Sequence, residues 1–306
     1  MNITVVGAGA VGGYFGGRLA EAGANVTFLV REKRALQLEQ TGLQIESPFG
    51  NVVLHPVIAT DVTAIEHCDL ILLSVKNYHL SSVLETICPL IQKGAKVLPL
   101  LNGVEHFEML QHAFGKDTVL GGLCHIIATL DQDGKIIHTN QIHSMTFGPI
   151  EPQQTTFCQE FYALAKKANF DISFKENIWH SIWHKYVFIT AFSGITTASR
   201  LSIDGVVGCD ATRCVLQRSL EEMCSLAAKY GGQQAEDYVT KTLLMLEKMA
   251  EGTTSSMHQD FRKGLELEVE SLQGAAVRLA HKASLQVPVI ETLYGLIKPF
   301  EKGNCC

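Results

Sequence analysis

Residues 1–31, MNITVVGAGAVGGYFGGRLAEAGANVTFLVR, decide the fold. Ile3, Val5 and Val6 are β-branched and predict a short strand. The strand runs into Gly7-Ala8-Gly9-Ala10-Val11-Gly12, a G-x-G-x-x-G that opens a helical pattern over 11–21. In such a loop the first glycine, Gly7, permits the tight turn. The second, Gly9, lets the backbone approach a pyrophosphate, and the third, Gly12, lets helix and strand pack closely. The exposed amides and positive dipole end of the helix make an anion site. A strand before, a helix after, then Gly23 and a second strand over 25–30 separate this pattern from an ordinary Gly-rich turn. It reads as a dinucleotide-binding loop.

The end of the second strand indicates which dinucleotide. An acidic residue there accepts from a ribose 2′-hydroxyl, whereas this chain has Arg31, with Lys33 and Arg34 close behind. A guanidinium fork suits the oxygens of a 2′-phosphate. Glu32 lies alongside as the rival signal, but the charge balance favours NADP(H).

With 306 residues, 46% of them hydrophobic, the chain is long enough for two domains with separate cores. A formal net charge of −6 with no block of like charge argues against nucleic acid or an anionic membrane surface as partner. The first residues pass directly into a strand, and no apolar run is long enough to span a bilayer. A cytoplasmic protein is expected. The nine cysteines include no C-x-x-C, so they are expected to be buried thiols of a reduced compartment, apart from an exposed, oxidisable pair at Cys305 and Cys306.

After a helix over 33–40, two strand-like pieces at 43–46 and 51–55 flank Ser47-Pro48-Phe49-Gly50, which is hairpin chemistry. The unbroken run of apolar or small residues at 70–75 suits a parallel strand buried on both faces, and it ends in Ser74-Val75-Lys76. Lys76 therefore falls at the carboxyl edge of the sheet, where open α/β folds put their ligands, although a solvated loop lysine has the same pattern. Helix 80–91 and strand 96–100 end in Leu101-Asn102-Gly103, with Asn102 at another strand's carboxyl end. Alternating strands from 119 to 147, turning at Asp131-Gln132-Asp133-Gly134, predict an antiparallel hairpin closing the edge of the mainly parallel sheet. A helix over 157–168 and a strand over 170–174 complete a Rossmann-type domain, 1–174. The rest, 175–306, predicts an all-helical domain.

Within the helical part, residues 178–192 are apolar nearly all round and predict a buried helix. Ile178, Ile182, Lys185, Ile189 and Ser193 share one stripe. Lys185 is thus an amine on an apolar face, where burial lowers a lysine's pKa unless the chain snorkels to water. His180 and His184 have the i, i+4 spacing of a zinc pair, but Ser181 stands where H-E-x-x-H needs glutamate, so no metal site is expected. The cluster Thr253-Thr254-Ser255-Ser256 reads as a helix cap or as donors to a carboxylate. A further helix is predicted over 265–282 with the stripe Leu265, Val269, Leu272, Ala276 and Leu279. Glu266 and Glu270 face away from this stripe. Glu268 points toward the packed side, where Lys185 is its natural partner.

Taken together these motifs resemble the ketopantoate reductase (2-dehydropantoate 2-reductase) family. The likeness rests on the Gly-rich loop with Arg31, Ser-Val-Lys at Lys76, Asn-Gly at Asn102, Trp-x-Lys at Lys185, Ser-Ser-Met at Ser256, and Glu-Val-Glu at Glu268 followed by Gly274. Each motif is short, but their order along nearly the whole chain is specific. The resemblance implies NADPH-dependent reduction of ketopantoate to D-pantoate in pantothenate and coenzyme A biosynthesis. Lys185 would then be general acid and Glu268 would orient Lys185 and the substrate hydroxyl. Ser256 would bind the carboxylate, and Lys76 and Asn102 would hold the nicotinamide end and help to position the substrate. Both domains would contribute, with closure around the 2-keto acid.

The chain also departs from the family pattern. Asparagines are common four and eight residues after the lysine, where this chain has Ile189 and Ser193, and Thr253 stands for another. These losses leave open a D-2-hydroxyacid dehydrogenase acting on another 2-keto acid. A non-catalytic NADP(H) sensor is a further alternative, against which the retention of both Lys185 and Glu268 argues. A homodimer through apolar helix faces is also left open.

Overall fold

The computed structural model describes residues 1–303, so the expectation for Cys305 and Cys306 lies outside the described residues. The chain begins with β1 (Asn2–Val6), α1 (Ala10–Glu21), β2 (Asn25–Leu29), α2 (Glu32–Thr41), β3 (Leu43–Glu46), β4 (Val52–Leu54) and β5 (Val57–Ala59). It continues through β6 (Leu70–Leu73), α3 (Leu80–Gln92), β7 (Lys96–Pro99), α4 (Glu105–Phe114), β8 (Gly121–Leu130), β9 (Ile136–Gly148), α5 (Thr155–Ala165) and β10 (Asp171–Phe174). From there on it is helical: α6 (Ile178–Ser199), α7 (Ile203–Val207), α8 (Asp210–Lys229), α9 (Tyr238–Leu246), α10 (Ser256–Arg262), α11 (Ala275–Lys282) and α12 (Pro288–Ile297).

Two compact units result, one of Met1–Leu101 with His106–Ile178, the other of Asn102–Glu105 with the chain from Trp179 onward. The division thus falls at Ile178 rather than at Phe174, and the short segment Asn102–Glu105 belongs with the helices.

In the first unit the sheet order is β5-β2-β1-β6-β7, and every pairing is parallel. The chain winds outward from β1 through β2 to β5, then crosses back to β6 and β7. The switch point therefore lies at the carboxyl ends of β1 and β6. All four residues of β6 are buried, as the apolar run 70–73 requires.

The hairpin expected to close the edge of this sheet instead builds a second one. β9 pairs antiparallel with β8 and parallel with β3 and β10, and β3 pairs antiparallel with β4. Its link to the first sheet is the isolated bridge Val97–Val119, just ahead of β8. Alternation shows that a strand has one buried face but does not choose its neighbour, and β9, at 13 residues, has room for a different partner along each part of its length.

Helix α1 lies between the two sheets because it carries paired glycines. A Cβ on Gly12 or Gly16 would press on Val5 of the first sheet, and one on Gly13 or Gly17 would press on Leu43, Ile45 or Ile136 of the second. The same helix supports a buried polar cluster. Tyr14 Oη lies 2.7 Å from His143 Nδ1, whose ring stacks on Phe49. The buried Arg18 guanidinium donates to Gly50 O at 2.6 Å and lies over the Tyr14 ring. His138 Nε2 faces Asn140 Oδ1 and Ile142 O, so it carries the proton, and its Nδ1 accepts from Ser47 Oγ at 2.9 Å.

Burial, then the neighbouring His138, and to a smaller degree Arg18, hold the His143 pKa below its ordinary 6.5, although Asp171 pulls it upward. Because the folded value is the lower one, the unfolded chain takes up the proton first. Stability is then complete above pH 6.5 and is lost as pH falls below it. Tm is expected to decline between pH 8 and pH 5, more shallowly in His143→Gln. His258 in the second unit, likewise lowered by burial and by Arg262, keeps part of the slope. An unchanged slope in the variant refutes the assignment.

In the second unit α6 runs 22 residues, and most of its side chains from Ile178 to Thr197 are buried. Among the described residues no helix is long and apolar enough to cross a membrane. The cysteines divide: Cys68, Cys124 and Cys158 are buried, but Cys209 and Cys214 are exposed on or beside α8, contrary to the uniform burial expected.

The helix expected over 265–282 starts later. Gly264 closes α10 through its bond to Phe261 O, and Leu267 N donates to Glu301 O, so 265–268 is irregular rather than helical. A π-turn, Glu270–Gly274, then leads into α11. Leu265 is consequently exposed rather than part of the apolar stripe.

Candidate active site

The dinucleotide loop is built in the first unit. Gly7 has φ +94°, and a Cβ there would lie 2.5 Å from Ser74 O, so both conformation and space demand glycine. A Cβ on Gly12 would lie 2.3 Å from Gly7 O. Gly9 differs, because a Cβ there would meet nothing within 4 Å. Gly9 caps α1 without a side-chain bond, which leaves the first-turn amides facing that open space. Ala8 is buried, while Ala10 and Val11 are half-buried along the rim. Backbone amides, a dipole end and room beyond a missing side chain fit the pyrophosphate of a dinucleotide.

Ser74 N donates to Val6 O at 2.9 Å, which sets Ser74-Val75-Lys76 beside the loop. The structure therefore brings residues 7–12 and Lys76 to one sheet edge, at the switch point. Lys76 is half-buried and precedes a short 3-10 turn, Asn77–His79.

The cations after β2 separate. Arg31, at the start of α2, is exposed, and so is Lys33. Arg34 is engaged elsewhere: its Nη1 donates to Gly134 O at 2.8 Å in the β8–β9 turn and also bonds Gln37, and burial lowers its pKa. Arg31 and Lys33 remain open to a phosphate, and Arg34 does not join them.

The second unit holds the other expected residues. Lys185 is 8% exposed and Glu268 7%, so the unit buries an amine and a carboxylate, the latter on the irregular segment ahead of the π-turn. Ser193 is buried and Ile189 half-buried on the Lys185 stripe. Helix α6 is tied to the π-turn by Tyr186 Oη donating to Leu272 O at 2.7 Å. Gln273 Nε2 adds bonds to Thr190 O at 2.8 Å and Ser193 Oγ at 3.0 Å. In the sequence the only signal of Gln273 is a lone carboxamide among Leu272, Gly274, Ala275 and Ala276. It gives Ser193 a carboxamide partner from another element.

The two hydroxyls of the Ser-Ser pair have different roles. Ser255 is buried and caps α10, accepting from His258 N at 3.1 Å and sharing a 2.8 Å bond with Thr196 Oγ1. Ser256 is exposed at the start of that helix. Asn102 is half-buried within the helical unit, next to Gly103, whose φ is +91° and whose Cβ would lie 2.5 Å from Ser271 O. His180 and His184 are both exposed, and their rings stack at 6.3 Å.

Comparison with known proteins bears on this arrangement. The family model described as ketopantoate reductase PanE/ApbA matches residues 3–152, and that of its C-terminal part matches residues 177–301. The chain belongs to the ketopantoate reductase family. It is 36% identical over 302 residues to the uncharacterized oxidoreductase YkpB of Bacillus subtilis, covering 98% of this chain and 99% of that one. Against the 2-dehydropantoate 2-reductase of Halobacterium salinarum it is 28% identical, covering 97% and 98%.

The crystal structure of 2-dehydropantoate 2-reductase from Geobacter metallireducens superposes with TM-score 0.91 at 25% identity, covering 98% and 99%. A D-mandelate dehydrogenase bound to NADH and anilino(oxo)acetate shares the fold, with TM-score 0.88 at 22% identity over 98% of each chain. As a ketopantoate reductase-family member the chain is an NAD(P)H-dependent oxidoreductase, with a parallel-sheet Rossmann-like unit followed by a helical one.

Proposed function

We propose that this protein reduces 2-dehydropantoate to D-pantoate with NADPH, serving pantothenate and coenzyme A biosynthesis in the cytoplasm. The observation that carries the reading is the pair of buried ionisable groups, Lys185 and Glu268, in a helical unit whose partner unit has an open glycine cradle. Burying an amine and a carboxylate is costly unless each is matched, and catalysis is a reason to retain them.

NADPH supplies the hydride when bound, and the chain's residues do the rest. The amides beside Gly9 hold the pyrophosphate and Arg31 holds the 2′-phosphate. Lys76 and Asn102 position the nicotinamide end. Lys185 donates a proton to the ketone oxygen as negative charge develops there, and Glu268 orients Lys185 and the substrate hydroxyl. Ser256 receives the carboxylate, and Ile189 and Ser193 contact the substrate.

Ile189 and Ser193 favour a second reading, a D-2-hydroxyacid dehydrogenase on a bulkier or more apolar 2-keto acid. Losing a carboxamide removes hydrogen bonds worth about 1 kcal/mol each, and Ile189 makes the wall apolar.

The test is oxidation of NADPH and of NADH with ketopantoate, pyruvate, 2-ketoisovalerate, 2-ketoisocaproate and phenylglyoxylate. The first reading expects ketopantoate with NADPH to have the highest kcat/KM. Preference for another acid by about tenfold, or 1.4 kcal/mol in the transition state, selects the second. Tight NADPH binding with no turnover on any acid rejects both in favour of a sensor.

A further inference from the structure

The segment Asn102–Glu105 leaves the parallel sheet after β7 and belongs with the helices. Within that unit it is held at both ends. Gly103 lies so close to Ser271 that a Cβ would stand 2.5 Å from its carbonyl oxygen, and Ser271 Oγ donates to Glu268 O at 3.1 Å. At the other end Glu105 receives a two-pronged bond from Arg278, with Nε to Oε1 at 3.0 Å and Nη2 to Oε2 at 2.6 Å.

Arg278 has donors left, and spends them on the same π-turn. Nη1 reaches Glu270 Oε2 and Nη2 reaches Glu270 O, each at 2.7 Å. Glu270 in turn accepts from Tyr294 Oη at 2.5 Å and from Lys298. Burial alone would raise the Glu270 pKa, but the bonds from Lys298, Tyr294 and Arg278 lower it to about 2, so it stays an anion and keeps Arg278 in place.

We infer that Arg278, through Glu105 and Glu270, is a positioning residue that fixes Asn102 against the turn following Glu268. The inference rests on the proposed roles of Asn102 and Glu268. The arginine fork is suited to this task because its planar donors define direction as well as distance, which a lysine at the same place cannot do. The ion pairs are partly exposed, so their worth in stability is small. Their worth in geometry is larger, since a displacement of about 1 Å at a reacting centre costs up to about a hundredfold in rate. π-turns of this kind are frequent where a fold sacrifices helical regularity for a functional site.

The experiment compares wild type, Arg278→Met and Arg278→Lys, measuring kcat and KM on the preferred keto acid, NADPH Kd, the emission of bound NADPH, and Tm. Arg278→Met is expected to lower kcat by about tenfold or more while NADPH Kd stays within about twofold, because the phosphate contacts lie in the other unit. Arg278→Lys should recover part of kcat, and the emission of bound NADPH should change in Arg278→Met if Asn102 has its proposed role at the nicotinamide end.

Unchanged kcat in Arg278→Met overturns the inference, as does a loss of kcat that disappears on cooling in step with regained folding. Wild type inactive on every keto acid is a failure of the proposed function instead. In that case unchanged emission of bound NADPH in Arg278→Met still overturns the positioning role.

Discussion

Lys185→Met is expected to lower kcat by two to four orders of magnitude, about the range of a lost general acid, with NADPH affinity within about twofold of wild type. Methionine nearly matches the lysine stem in length and leaves no large cavity on a face shared with Ile182 and Ile189, so the fold should tolerate it. What disappears is the proton donor and the positive charge that stabilises the developing oxyanion. Lys185→Arg would keep a charge, but a guanidinium holds its proton too tightly to serve as acid, so it should remain slow.

Glu268→Gln is the companion variant. It keeps the size and one acceptor of the buried side chain and removes its charge, so its loss should be smaller than that of Lys185→Met if Glu268 orients rather than transfers. The measurements are single-turnover NADPH oxidation and fluorescence titration of NADPH. A Lys185→Met enzyme that binds NADPH weakly but turns over normally per bound cofactor would place Lys185 in the cofactor site and remove it from the chemistry.

Much of the first unit was legible because its signals are local. The strand, glycine loop and helix of 1–21 each prefer the observed state, and the turn at Ser47–Gly50 forms where Pro and Gly put it. What escaped was set by distant partners. From sequence the hairpin after residue 119 reads as an edge of the parallel sheet, because alternation gives β9 a buried face without telling that β3 and β10 will pair with it. Leu265, Val269 and Leu272 have helical spacing, but Gly264 and the backbone of Glu301 hold 265–268 out of the helix.

The site was legible by residue type and less so by surroundings. A glycine loop, an amine on an apolar stripe and a carboxylate near a glycine carry chemistry that can be read in one dimension. Asn102 shows the limit: Asn-Gly announced a turn, but that the turn would rest on Ser271 depends on a contact remote in sequence. The division of labour between Ser255 and Ser256 and the donation from Gln273 to Ser193 were hidden for the same reason.

Two of the loop glycines, Gly9 and Gly12, give a separable pair of expectations. Gly9→Ala should leave Tm nearly unchanged, because the added methyl would meet no protein atom within 4 Å and alanine accepts the φ of −81° at Gly9. Only a pyrophosphate drawn onto the first-turn amides would meet that methyl, so NADPH Kd should rise by about tenfold or more, or 1.4 kcal/mol. Gly12→Ala should behave in the opposite way. Its methyl would sit 2.3 Å from Gly7 O, with Ser74 Cβ at 3.0 Å and Val5 at 3.2 Å, so α1 must move off the sheet to admit it.

Overpacking of this kind costs about 1–3 kcal/mol, and here it strikes backbone that cannot swing aside, so Tm should fall by several degrees or more. Thermal melts with and without NADPH, beside fluorescence titrations, separate the two. If Gly9→Ala binds NADPH as wild type does, the dinucleotide does not lie over the amino end of α1, and the cradle assigned to residues 7–12 is wrong. If Gly9→Ala instead melts early, the space beside Gly9 serves the fold rather than a ligand.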